Sequence, residues 1–276
     1  MRLIYAEEAV RPPNLFESRA GSPRLRVVTY NVHKCRGLDG RVRPHRIASV
    51  LNELDADVIA LQEVTASAGE GSGAGHAEFL AETLGLNCCF GENRRHGVAP
   101  YGNAILTRLP IHHWQNYDIT AANREPRGCL RADVSLPGSA TLRIFNLHMG
   151  TGFFERRTQV HKFHEAILPE GGAGGVRLIL GDFNEWTRGL ASRLLSSRFN
   201  SADPRVHLGR RHTYPGLAPF LHLDHIYFDS ALKLEKLSLY RSPLALLASD
   251  HLPLMAEFGL RQLEQSPSSR RVPDQG

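Results

Sequence analysis

The stretch that most restricts what this chain can fold into is Arg177-Leu178-Ile179-Leu180-Gly181-Asp182-Phe183-Asn184-Glu185-Trp186. Its apolar start is too short for a helix and is bounded upstream by Gly171-Gly172-Ala173-Gly174-Gly175, so it reads as a buried strand. Gly181 then lets the chain turn. Asp182 and Asn184 follow at spacing i, i+2, which in extended chain points both polar groups to one side. A carboxylate beside a carboxamide can take a proton from water while holding a phosphoryl oxygen. A plain strand-end turn would use the same residue types, so the rest of the chain has to decide.

Other segments repeat the pattern of a strand ending in a polar group. Arg24 to Val32 alternates, is rich in β-branched residues and reads as a strand. Pro44 opens a helix with Ile47, Val50, Leu51 and Leu54 at helical spacing. Asp57 to Glu63 is a second buried strand ending in a carboxylate. Residues 66–75 are Gly, Ser and Ala-rich and read as a flexible loop, followed by a short helix from Ala77 to Leu84. Asn103 to Thr107, His113 to Ile119, Cys129 to Leu136 and Thr141 to His148 read as strands, with Pro137-Gly138-Ser139 turning the last pair into a hairpin. Helices are expected over 153–168 and from Thr187 to Ser197. Asp224 to Phe228, Leu232 to Tyr240 and Leu254 to Phe258 are the remaining strands. Hairpins thus mix with helical crossovers, which favours two packed mixed sheets flanked by helices over a doubly wound parallel sheet.

The arm of residues 1–23 and the tail of residues 261–276 are polar and proline-containing and read as flexible and disordered, leaving 24–260 as one domain. At 276 residues, 42% hydrophobic and 22% charged, the chain can bury a large core. The net charge of +5 suits an anionic substrate without establishing nucleic-acid binding. Cys35, Cys88, Cys89 and Cys129 have no metal-type spacing, which points to reduced thiols and a cytoplasmic protein. Glu7, Glu8 and Arg11 stand where a signal peptide needs an apolar core, and no run reaches membrane-spanning length.

Polar residues recur where the strands end: Asn31, Glu63, Asn146 with His148, Asp182 with Asn184, Asp224, and Asp250-His251. Ile144, Asn146 and His148 alternate onto one face of their strand. Each has an ordinary reading by itself, as a turn residue, a solvated strand end or a satisfied core histidine. Their recurrence gathers groups that are costly inside a core at its edge.

The ordered set Thr29-Tyr30-Asn31-Val32, Leu61-Gln62-Glu63-Val64, Gly102-Asn103-Ala104-Ile105-Leu106, Asn146-Leu147-His148, Gly181-Asp182-Phe183-Asn184, Leu223-Asp224-His225-Ile226 and Ser249-Asp250-His251-Leu252-Pro253-Leu254 resembles the endonuclease/exonuclease/phosphatase superfamily. The likeness runs from about residue 24 to 258, in the family's order, and is greatest to small bacterial members of undefined substrate. It implies a four-layer α/β sandwich with the site at one end of two sheets. It also implies Mg2+ (or Mn2+) on oxygen ligands, with Glu63 as principal ligand and Asn31 and Asp250 completing or hydrogen-bonding its shell. Asp182 would orient or deprotonate the attacking water, and Asn184 would hold the scissile phosphate. His251, oriented by Asp224, would act as general acid/base or stabilise the transition state. His148 and Asn146 would contact phosphoryl oxygens, with Asn103 and Arg127 also on the substrate side. Arg127 keeps two readings, a bidentate fork on a phosphate or a salt bridge supporting the loop before it. Arg94-Arg95-His96 and Arg205 with Arg210-Arg211-His212 are candidates for a basic rim.

The expected activity is metal-dependent phosphoester hydrolysis, foremost of a phosphodiester, by a monomeric enzyme. The anionic phosphate-ester substrate would be a nucleic acid or a phospholipid head group. A phosphomonoesterase or a phospholipid-directed phosphodiesterase would use the same site. A silent binding module is disfavoured because no acidic, amide or histidine position of the pattern is missing. The chain lacks the long basic insertion and interleaved aromatics of a duplex-gripping nuclease, and also an apolar hairpin for lipid. His225, beside Asp224, departs from many relatives and leaves that pocket wall open.

Overall fold

The central strands, such as Arg24–Asn31 and Val58–Thr65 in one sheet and Thr141–His148 and Val176–Asp182 in the other, carry their apolar residues to two different cores, and that division builds the layers. The structure, a computed structural model, describes residues 24–66, 75–136, 140–170, 174–186, 189–208, 213–215 and 221–260. In chain order its strands are β1 (Arg24–Asn31), β2 (Val58–Thr65), β3 (Asn87–His96), β4 (Ala99–Thr107), β5 (Ile111–Asp118), β6 (Gly128–Ser135), β7 (Thr141–His148), β8 (Val176–Asp182), β9 (Asn200–Ser201), β10 (Asp224–Phe228), β11 (Leu232–Leu239) and β12 (Leu254–Leu260). The helices are α1 (Pro44–Leu54), α2 (His76–Leu84), α3 (Phe153–Lys162), α4 (Leu190–Ser196), α5 (Pro204–His207) and α6 (Pro243–Ala248).

Two six-stranded sheets result, ordered β11-β12-β1-β2-β4-β3 and β5-β6-β7-β8-β10-β9. Each has one parallel pair near its centre, β1 with β2 and β7 with β8, joined across α1 and α3, and its other pairings are antiparallel. Period-two alternation sends Val27, Ala60 and Ile105 of the first sheet against Leu130, Ile144 and Leu180 of the second. The opposite face of the first sheet, with Val28 and Tyr30, packs on Ile47, Leu51, Leu80 and Ala245 from α1, α2 and α6. The opposite face of the second, with Phe145 and Ile179, packs on Val160 and Leu195 from α3 and α4 and on Phe163 just past α3. This is the expected four-layer sandwich.

Several elements differ from expectation in detail. β3 was not expected, because Asn-Cys-Cys-Phe-Gly-Glu-Asn-Arg-Arg-His is polar and Gly-interrupted, as an edge strand can be. The short α5, α6 and β9 were not expected either. The helix at 153 continues past Lys162 as a π-turn over Phe163–Ile167, and α4 begins at Leu190. The arm, the tail, most of the 66–75 loop, the 137–139 turn and Arg210-Arg211-His212 lie outside the described residues. Among the described residues all four cysteines are free and buried, and no helix is long and apolar enough to cross a membrane. Gly181 has φ +147°, and a Cβ there would collide with the Leu147 carbonyl, so only glycine lets the end of β8 lie against β7.

Candidate active site

Strand register brings the polar strand ends together. β7 pairs with β8 so that His148 lies beside Asp182, and β10 sets Asp224 on the other side of Asp182. Asn31, at the end of β1, spans the two sheets: its Nδ2 donates to Asp182 Oδ2 at 3.0 Å and to Glu63 Oε1 at 3.3 Å. The Nε2 atoms of His148 and His251 each lie 3.7 Å from Asp182 Oδ2. His251 Nδ1 is 3.1 Å from Asp224 Oδ2, and Tyr214 packs on the His251 ring at 4.8 Å. The Ser249 hydroxyl ties the loop before β12 to the Asn31 carbonyl at 2.8 Å. Asp250 follows, 3.6 Å from His33 Nδ1. Asn184 donates its backbone N–H to Asp182 Oδ1 and its Nδ2 to the Met149 carbonyl.

Left-handed backbone gathers at this end of the sandwich. Glu63 (φ 58°) sits where the β2–β4 ladder shifts register, Asn184 has φ 49°, and His33, Lys34 and Cys35 have φ 45°, 56° and 57° in succession. Such conformations cost on the order of 1–3 kcal/mol each and persist only where the surroundings fix them. Here they turn Glu63 and Lys34 toward each other, with Nζ 2.9 Å from Oε2.

The two histidines beside Asp182 differ in charge. Burial is the largest influence on His148 and the Arg127 guanidinium adds to it, so its pKa is pushed down to about 4 against the pull of Asp182 and Glu63. Burial acts the same way on His251, but Asp224, Asp182 and Asp250 together outweigh it and raise that pKa to about 10. At neutral pH, His148 is neutral and His251 is an imidazolium. Burial would also raise the Glu63 carboxyl. His148, protonated in the acid range where Glu63 titrates, joins Lys34 and Asn31 in holding it at about 2.

Arg127 makes the expected salt bridge to the loop before it and also meets His148. One Nη lies 2.9 and 3.1 Å from the ring nitrogens of His148, and the other donates to Glu125 Oε2 at 2.9 Å. Glu125 also pairs with Arg94, which lies over the Tyr101 ring. Arg127→Met is expected to move the His148 titration from about 4 toward the ordinary imidazole range, because Asp182 and Glu63 then act without the opposing guanidinium. Proton NMR titration of the histidine ring signals measures this, and an unmoved His148 would refute the assignment.

Two expected substrate contacts are corrected. Asn146 is fully buried; its Nδ2 donates to the Leu61 and Ala104 carbonyls at 2.9 Å each, and its Oδ1 accepts from Gln62 Nε2 at 2.8 Å. Asn103 is buried beside it and donates to the Gly128 and Asn146 carbonyls. Both amides fasten the two sheets together beneath the site and do not face substrate. His225 turns away from Asp224, packs edge-on against Phe183 and bonds the Glu185 carbonyl at 3.1 Å. The basic rim is partly spent: Arg95 pairs with Glu92, and Arg205 bonds the Trp186 carbonyl.

Lys34 and Tyr101 border the site through Glu63 and were missed from sequence. Only the position of Lys34 in the turn after Asn31 hints at it. Tyr101, whose hydroxyl bonds Glu63, has its pKa raised first by burial and then by that carboxylate. Among the described residues no three His, Cys, Asp or Glu side chains form a ready ligand group. Glu63 instead offers one carboxylate held low. Asn31 presents its N–H2 to that carboxylate, while its Oδ1 accepts from the His33 N–H, so it buttresses a ligand. That donor set fits Mg2+, which keeps much of its water and binds through one or two carboxylates plus substrate phosphate. Zn2+ would prefer His and Cys ligands.

Comparison with known proteins bears on the family and the fold. The model of the Endonuclease/Exonuclease/phosphatase family matches residues 28–251. The uncharacterised protein YbhP of Escherichia coli (strain K12) is 29% identical over 248 residues, 86% of this chain and 96% of its own. A crystal structure of an endonuclease/exonuclease/phosphatase from Beutenbergia cavernae aligns with TM-score 0.68 and 20% identity over 86% of this chain and 72% of that one. The mannosyl-6-phosphatase Bt3783 of Bacteroides thetaiotaomicron aligns with TM-score 0.67 and 18% identity over 85% of this chain and 99% of that one.

Proposed function

The chain belongs to the Endonuclease/Exonuclease/phosphatase family, and from that premise we propose that it is a divalent-metal-dependent phosphoesterase cleaving a phosphodiester by direct attack of water. One observation carries the reading: Asp182 is clamped by Asn31 and the Asn184 N–H, with an imidazole nitrogen 3.7 Å away on either side. A carboxylate so fixed orients a water on the phosphorus and takes its proton. His251 has Asp224 on one ring nitrogen and Asp182 near the other. An imidazole between two carboxylates keeps both protons, so it stabilises the negative charge that grows on the phosphoryl oxygens and leaves the base role to Asp182. His148 and Asn184 contact the phosphoryl oxygens. Glu63, backed by Asn31 and with Asp250 nearby, would hold Mg2+ or Mn2+. The ion would supply Lewis-acid polarisation of the phosphoryl group and neutralise developing charge.

A phosphomonoester substrate is the second reading, favoured by the likeness to a solved structure named a mannosyl-6-phosphatase. Plasmid DNA, single-stranded RNA, bis-p-nitrophenyl phosphate, p-nitrophenyl phosphate and phospholipid, each with and without EDTA, separate the two. Hydrolysis supported by Mg2+ or Mn2+ and abolished by the chelator is expected. Glu63→Gln should weaken metal affinity, since it removes the anionic ligand. Full activity in EDTA, or stoichiometric zinc, would overturn the proposal.

A further inference from the structure

The carboxylate best placed to hold a divalent cation already carries a cation of the chain's own. Lys34 Nζ is 2.9 Å from Glu63 Oε2 and 5.3 Å from the centroid of the Tyr101 ring. A lysine stem is flexible and its ammonium strongly hydrated, so nothing in the side chain itself demands this position. The backbone does. Three consecutive left-handed residues carry Lys34. They are held by the bond of the His33 N–H to Asn31 Oδ1, by the bond of the Cys35 N–H to the Val32 carbonyl, and by burial of Cys35. Glu63 is itself left-handed, so strained backbone presents both partners to each other. The choice of residue is also informative: of 33 Lys and Arg residues only four are lysines. An arginine fork would clasp the carboxylate at two points, whereas an ammonium makes a single-point contact that can be released.

We propose that the Lys34 ammonium competes with the metal for Glu63: it neutralises the carboxylate in the metal-free protein, leaves Oε2 when Mg2+ or Mn2+ binds, and thereby sets the affinity of the site. The inference rests on Glu63 being the metal-binding carboxylate. Two cations on one carboxylate oxygen repel each other, so part of the binding free energy goes into displacing Lys34. Once displaced, the ammonium remains within reach of the Tyr101 ring face.

The test is calorimetric titration of Mg2+ into the chelator-stripped full chain, with melting curves in EDTA and in saturating Mg2+. Lys34→Met is expected to bind Mg2+ about two- to fivefold more tightly than the wild type, on the scale of a partly exposed ion pair. Its metal-free form should melt lower, so the gap between metal-free and saturated melting temperatures should widen. Lys34→Arg, whose fork is harder to release, should bind Mg2+ more weakly than the wild type and should not melt lower in its metal-free form. Unchanged or weaker binding by Lys34→Met, where Glu63→Gln does weaken binding, overturns the competition and leaves the metal site standing. A wild type that binds no Mg2+ overturns the metal site, and the competition with it. Should Lys34→Met not fold, the wild type labelled with 13Cε-lysine still decides. One of its four lysine signals, assigned through Lys34→Arg, should move on saturation with Mg2+, and a stationary Lys34 signal overturns the proposal.

Discussion

Asp182→Asn lowers kcat by a factor on the order of 10²–10⁴ or more in a protein that still folds, on the scale of a positioned acid/base group. The substitution keeps the planar shape and the Oδ1 that accepts from the Asn184 N–H, while removing the charge proposed to take the proton of water. His251→Ala is expected to lose as much, because it removes the charged donor proposed to stabilise the phosphoryl oxygens. Asp224→Asn is milder, since the imidazole keeps its place but loses its partner at 3.1 Å. KM should change little, because on the proposed reading the phosphate would also be held by Asn184, His148 and the metal. The double variant Asp182→Asn/His251→Ala should be far from additive, as both residues serve one transition state. Steady-state kinetics on whichever substrate is turned over, with thermal melting as the fold control, measures all four. A folded His251→Ala protein with near-normal kcat would remove His251 from the mechanism.

Asn146→Ala is expected to damage the fold, not the chemistry. Its Nδ2 serves two buried carbonyls, those of Leu61 and Ala104, near the point where the β2–β4 ladder shifts register. Its Oδ1 accepts from Gln62, whose own Oε1 already has no partner among the described residues. Each buried group left unpaired costs about 1–3 kcal/mol, and the missing side-chain volume adds a cavity cost. The loss should reach about 3–5 kcal/mol, a large part of the roughly 5–15 kcal/mol that holds a typical domain together. Urea denaturation should show a much lower midpoint with an unchanged slope. A substrate contact would behave in the opposite way, with normal stability and a raised KM, and that result would reinstate Asn146 in the site.

The contrast between Asn146 and His148 marks where sequence reading reached its limit. Both lie on one face of β7, and alternation identifies that face correctly. Alternation does not report depth along the strand. His148 stands at the strand end beside Asp182; two residues earlier the same face is already sealed between the sheets, so an identical signal acquires a structural meaning. The buried strands and helix α1 were legible because their apolar periods are strong. β3 was not, since a polar edge strand takes its shape from its neighbour β4. The positions of Asn31, Glu63, Asp182, Asp224 and His251 were readable as polar strand ends. The pairing of Lys34 with Glu63 was not, because it depends on a left-handed turn and a ladder irregularity that no local residue preference announces.

The path of the chain between the sheets has a consequence for the order in which this site comes into being. The chain fills part of the first sheet, crosses to build the second, and then returns to lay β12 beside β1, with Arg24 opposite Gly259. Asp250 and His251 travel on that returning segment. Ser249, which latches it to the Asn31 carbonyl, is 218 residues away in sequence. So distant a closure is slow compared with local pairing. During synthesis, Asn31, Glu63 and Asp182 emerge before Asp250 and His251. The pairing that closes the first sheet is therefore also the one that delivers His251 to within 3.7 Å of Asp182.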